Sequence, residues 1–121
     1  LLDYLMMQSQ EQEWAKVIEF PSLNFLAKAT KFSTKNSFME LKISLRLLRR
    51  LTIEFHNCFV DTGVLKYFEG DSEIIEIGII QGFQIRRNKE KRNRGYPVKI
   101  VFDDNFLALC QHSFGDRKSV V

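Results

Sequence analysis

The spacing of apolar residues changes several times along this chain, and each change marks an element. Leu2, Leu5 and Met6, followed by Ser9, fall on one side of a helix drawn at roughly 100° per residue. Leu2 to Ala15 therefore reads as a helix, with Gln and Glu filling its second half. "KVIEF", Lys16 to Phe20, is β-prone and closes at Pro21, after which Ser22 is placed to cap a short helix, "LNFLAKAT". "KFSTKN" is a turn. A long helix follows from Thr34 or Asn36 to Leu51, with Phe38, Leu41, Leu45 and Leu48 on one face and Ile43, Leu47 and Leu51 widening the apolar arc. This helix is expected to be buried over most of its circumference, leaving a basic stripe of Lys35, Lys42, Arg46, Arg49 and Arg50.

The second half changes to β spacing. "TIEFHNCF", Thr52 to Phe59, is a strand, "VDTG" a turn, Val64 to Phe68 a short strand, and "EGDS" another turn. Two further strands, Glu73 to Arg86 and Tyr96 to Phe102, flank a polar tip. A helix over Asp104 to Gln111, capped by Asp103 or Asp104, closes the pattern, with His112 to Val121 as a loose tail. The apolar strands and Trp14 supply the expected core, with Phe55, Phe59, Phe68, Phe83 and Phe102 at its centre. "EIIEIGII" alternates poorly, as a strand covered on both faces does. Either the first helix or a second subunit is expected to lie over the sheet.

Charge sharpens this picture. The net charge is +3, but Arg86 to Gly95 alone holds six positive side chains and one negative, a net +5, so the other 111 residues sum to −2. Basic character gathered in one tip is suited to a polyanion met at one place, although many charge runs are only solvated loops. The 121 residues fit one domain, placed at 1–112 with 113–121 as tail or the start of a linker. No apolar run approaches a membrane span, no signal peptide is visible, and the missing initiator Met suggests a piece of a longer protein. Cys58 and Cys110 form neither a disulfide framework nor a metal set, and reduced thiols in a cytosolic protein are expected.

Helix, short strand, helix, turn, basic helix, then a sheet with a long basic hairpin is the element order of an α+β winged helix. The second and third helices make the helix-turn-helix, and the hairpin is the wing. In such a fold the recognition helix presents its first residues to base edges, here Thr34, Lys35, Asn36 and Ser37. Asn36 suits an adenine edge, and Lys35 a guanine or a phosphate. Lys42, Arg46, Arg49 and Arg50 lie further along, where backbone is nearer. The wing residues Arg86, Arg87, Lys89, Lys91, Arg92 and Arg94 suit phosphates or a minor groove.

Four stretches resemble the winged-helix domains of plasmid replication initiators, the broad Rep group with its TrfA-like and RepA-like branches. They are "LLDYLMMQSQEQ", "IEFPSLNFLAKAT", "STKNSFMELKISLRLLRRLTIEF" and "YPVKIVFDDNFLALC", in the family's order and covering Leu2 to Cys110. The third is the best, with a basic turn, a helix of the form "L..SL.RL" and a strand directly after it. The resemblance implies a non-enzymatic domain of a bacterial cytoplasmic protein, binding double-stranded origin DNA as a homodimer and meeting host replication proteins. Family members usually carry two such domains, the first for dimerisation and backbone contact, and this chain resembles the first.

Other possibilities are a dimerisation module with little DNA contact, or a winged-helix transcriptional regulator. A small hydrolase is disfavoured. "FVDTG" has the Asp-Thr-Gly of aspartic proteases, but a single triplet would need a homodimer to pair two carboxylates. Asp61 reads better as a turn residue, with Gly63 at positive φ. "FDDN" reads as a helix cap rather than a metal pair, and His56 has no second ligand at useful spacing. No cofactor, metal or catalytic residue is expected.

Overall fold

Helix α1 (Leu2–Glu11) stops four residues earlier than its pattern predicts, and Ser9 shows why. Ser9 is fully buried, and its carbonyl accepts the N–H of Trp14 at 2.8 Å, of Gln12 at 3.1 Å and of Ala15 at 3.3 Å. Its hydroxyl donates to the Ala15 carbonyl at 2.8 Å. Glu13 and Trp14 both sit at φ 60°, left-handed positions costing about 1–2 kcal/mol each for side-chain-bearing residues. The four bonds to Ser9 hold this turn and aim the chain back along β1 (Val17–Phe20). The computed structural model describes residues 1–30, 37–86 and 97–115.

Helix α2 (Leu23–Ala29) begins where Ser22 caps it, its hydroxyl accepting the Phe25 N–H at 3.0 Å. It ends at Thr30, whose hydroxyl turns back to the Leu26 carbonyl at 2.7 Å. Helix α3 (Ser37–Arg50) buries Leu41, Leu45 and Leu48 and packs on α2 and on β4 (Ile80–Ile85). Phe38, Ile43, Leu47 and Leu51 are exposed, Leu47 by 56%. The wide burial predicted for this helix is therefore wrong. Two neighbouring elements cover one sector of a helix, and the remaining apolar residues face outward.

Strands β1, β5 (Val98–Phe102) and β4 form an antiparallel sheet in the order β1-β5-β4. Strands β2 (Thr52–Val60) and β3 (Gly70–Gly78) form a separate antiparallel ribbon. The predicted strand Glu73 to Arg86 is thus two strands in two sheets, joined by Ile79 alone. Ile79 is buried, and its carbonyl accepts the Asp103 N–H at 3.0 Å. This crossing accounts for the poor alternation of "EIIEIGII". Ile75 and Ile77 face inward from the ribbon, Ile79 and Ile80 are buried in succession where the chain passes between sheets, and Ile74 is 54% exposed. The strand is not covered on both faces.

The ribbon also switches face within itself. Burial falls on Ile53 and Phe55 before Asn57 and on Cys58 and Val60 after it, with Asn57 at φ 50°. The partner strand changes phase at the same level, from Ser72 to Ile75, without any slip in register. The connection from Asp61 to Glu69 contains only an isolated bridge between Thr62 and Leu65, so Val64 to Phe68 is not a strand. Gly63, at φ 91°, supplies the left-handed turn expected after Asp61.

The main core joins both ends of the chain. Leu5 of α1, Ile18 and Phe20 of β1, Leu26 of α2, the three α3 leucines, Ile100 and Phe102 pack with Phe106 and Cys110 of α4 (Asp104–Cys110). A smaller cluster under the ribbon holds Val60, Leu65, Ile75 and Ile77, with Leu109 of α4 against it. Phe102 is buried as expected, and Phe55 and Phe83 are partly buried. Phe59 and Phe68 are not core residues, and Phe59 is 70% exposed. Asp103 is the α4 cap, accepting the Asn105 and Phe106 N–H groups at 2.9 and 3.2 Å. Asp104 instead meets Lys16 at 3.0 Å, and this bond holds its carboxyl below the usual range. The predicted loose tail begins as a π-helical turn, Gln111–Gly115. Among the described residues no helix is long and apolar enough to cross a membrane.

Candidate nucleic-acid interface

Five of the predicted DNA-contacting residues lie in the described structure: Lys42, Arg46, Arg49 and Arg50 on α3, and Arg86 after β4. Thr34, Lys35, Asn36, Arg87, Lys89, Lys91, Arg92 and Arg94 lie outside the described residues. The five are all exposed, and no carboxylate pairs with any of them among the described residues. Lys16 and Lys99 differ, since Asp104 and Glu19 neutralise them at 3.0 and 3.5 Å. The free cations therefore concentrate on α3 and at the root of the basic segment.

The solvent side of α3 has two stripes. At roughly 100° per residue, Lys42, Arg46 and Arg49 line one flank. Met39, Ile43 and Leu47 line the other, and Arg50 falls among them. The lysine and arginines of the first stripe, at i, i+4 and i+7, rise by about 6 and 4.5 Å along the axis. Arg86 starts the connection between β4 and β5, where its N–H donates to the Pro97 carbonyl at 2.9 Å and continues the hairpin ladder by one rung. A shallow cleft at this root is lined by Glu19, Phe20, Pro21, Arg86, Pro97 and Lys99, among others. Because α3 packs on β4, the basic helix and the strand leading into the basic segment share one packed unit.

The ribbon has the opposite charge. Residues 52–78 hold six carboxylates and one lysine. On its outer face Glu54 stands directly across from Glu76, and His56 across from Ile74, with His56 Nε2 3.1 Å from Glu54 Oε2. Pattern reading missed this division because it took Phe59 and Phe68 for core and treated the acidic residues singly. The signal was present in the run of carboxylates from Glu69 to Glu76.

Among the described residues no group of three metal-ligating side chains forms. Asp103 and Asp104 are engaged as cap and ion pair, and Asp61 is exposed in the ribbon's connection. Cys58 and Cys110 are free thiols, and burial pushes the Cys110 thiol up to about 11. No family model matches the chain, and no curated protein or solved structure is found similar to it.

Proposed function

We propose that this is a winged-helix DNA-binding domain of the plasmid replication-initiator type, contacting origin DNA through α3 and the basic segment after β4 and assisting dimerisation. The observation that carries it is the packing of the unpaired basic helix α3 on β4, within a sheet of order β1-β5-β4. A winged helix uses that order, with its first strand between the first and second helices and its last two strands flanking the wing. The β2–β3 ribbon is then an insertion between recognition helix and wing. Unpaired cations on two adjoining elements suit a phosphate backbone, which supplies affinity without sequence information.

The test is fluorescence anisotropy on a labelled duplex across a salt series. The intact protein is compared with one carrying Arg86→Gln, Arg87→Gln, Lys91→Gln, Arg92→Gln and Arg94→Gln. Tight binding with a steep salt slope that flattens in the variant is expected. Equal and feeble binding by both proteins would remove DNA contact from the basic segment and leave a dimerisation module.

A further inference from the structure

We infer that the acidic outer face of the β2–β3 ribbon docks on the exposed basic and apolar face of α3 in a second copy of this chain. Each surface is unusual by itself. Helix α3 shows solvent a row of Met39, Ile43 and Leu47 with Arg46 and Arg50 beside it. A helix that reads or grips phosphates has no use for three large apolar side chains in water. The ribbon shows Ile74, more than half exposed, beside Glu54 and Glu76 on one pleated face, and beyond the switch at Asn57 it shows Phe59 paired with Asp71 on the other. Each surface is apolar with charges mostly of one sign, Glu40 beside Leu47 on α3 and His56 across from Ile74 on the ribbon being the exceptions, and the prevailing signs are opposite, which is what steers and fixes register between partners.

The ribbon has a further reason to seek a cation. Glu54 and Glu76 face each other across the two strands, a like-charge pair that disfavours the ribbon in isolation, with His56 Nε2 3.1 Å from Glu54 and no such partner at Glu76 among the described residues. Arginines from outside relieve that repulsion. The ribbon's inner face is already committed to Leu109 and the small cluster around Leu65, so the outer face is the one available. A second copy carries both surfaces at once. Each copy can give its ribbon and receive its partner's, which doubles the contact and closes the assembly at two. An interface of this mixed character belongs to the weaker, salt-sensitive class. This deepens the dimerisation part of the proposed function, and because the docked ribbon covers Arg46 and Arg50, it makes self-docking and DNA contact by α3 alternatives. The mode of docking does not depend on DNA binding.

The experiment is a mass measurement by sedimentation velocity without DNA, from micromolar to hundreds of micromolar protein. The intact chain should pass from monomer to dimer. One variant carries Arg46→Glu and Arg50→Glu, and the other carries Glu54→Arg and Glu76→Arg. All four positions are exposed, so circular dichroism should show both folded. Each variant alone should stay monomeric, since its two docking surfaces now repel. Mixed in equal amounts they should form a heterodimer, because one contact then has its native charges and the other has them exchanged. An intact chain that stays monomeric throughout overturns the inference. So do variants that dimerise like the intact chain, or a mixture that fails to associate. Loss of DNA binding in the anisotropy assay would be a separate result and would leave these masses unchanged.

Discussion

Replacing Lys42, Arg46 and Arg49 by Gln removes one charged stripe and almost nothing else. The three are exposed, pair with no carboxylate among the described residues, and lie on the flank of α3 beside its buried leucines. Stability should therefore move by no more than about 0.5 kcal/mol. At about 2.1 cal/mol/K of unfolding entropy per residue, that is a shift of roughly 2 °C in Tm for a chain of this length. DNA binding should change far more. Each phosphate contact adds about 0.9 to the slope of log K against log salt on B-DNA, so three contacts add about 2.7. Between 50 and 200 mM salt, a fourfold span, the intact protein should lose about 40-fold more affinity than the variant. The assay is anisotropy on a random duplex at nanomolar protein, where self-association is negligible, with Tm measured in parallel. Parallel salt slopes with unchanged Tm would refute phosphate contact by this stripe.

Ser9→Ala should cost about 1–3 kcal/mol, because it removes a fully buried hydroxyl and leaves the part-buried Ala15 carbonyl without its 2.8 Å donor. In a thermal melt that is a fall of roughly 4–12 °C, and a fall under about 1 °C would show that the hydroxyl does not hold the turn. The Lys16 bond lowers the folded pKa of Asp104 from 3.8, so its contribution to stability is present above that value and lost as pH falls through the lowered one. The Tm difference between the intact protein and Asp104→Asn should be visible at neutral pH and vanish in strong acid. A difference that persists unchanged in acid would assign it to packing rather than charge.

Local chemistry was legible where a single residue decides an end. Ser22 was readable as a cap, Asp103 or Asp104 as another, and Pro21 as a strand stop, because each acts within three residues of itself. The end of α1 was not readable, since it depends on a buried serine bonding across a left-handed turn that no periodicity announces. The apolar strands misled for another reason. A pattern tells which residues are greasy, but exposure depends on how many neighbours are near. Phe59 lies on a two-stranded ribbon whose outer face has no covering element, and Leu47 lies on a helix covered along one sector. Of the proposed DNA interface, the basic composition could be read from the chain. The adjacency of α3 to β4, which places helix and basic segment in one unit, came only from the tertiary packing.

The single residue between β3 and β4 has a mechanical consequence. From Gly70 to Ile85 the backbone runs as two extended strands that meet in a bend at Ile79, a corner held by the burial of that residue and by the Asp103 amide. Two strands that meet at a fixed corner form a crank. A load on the ribbon end has little soft loop in which to dissipate, so it would turn about Ile79 and reach the far end at Ile85 and Arg86. Whatever grips the ribbon thereby has a rigid handle on the residues that open the basic segment.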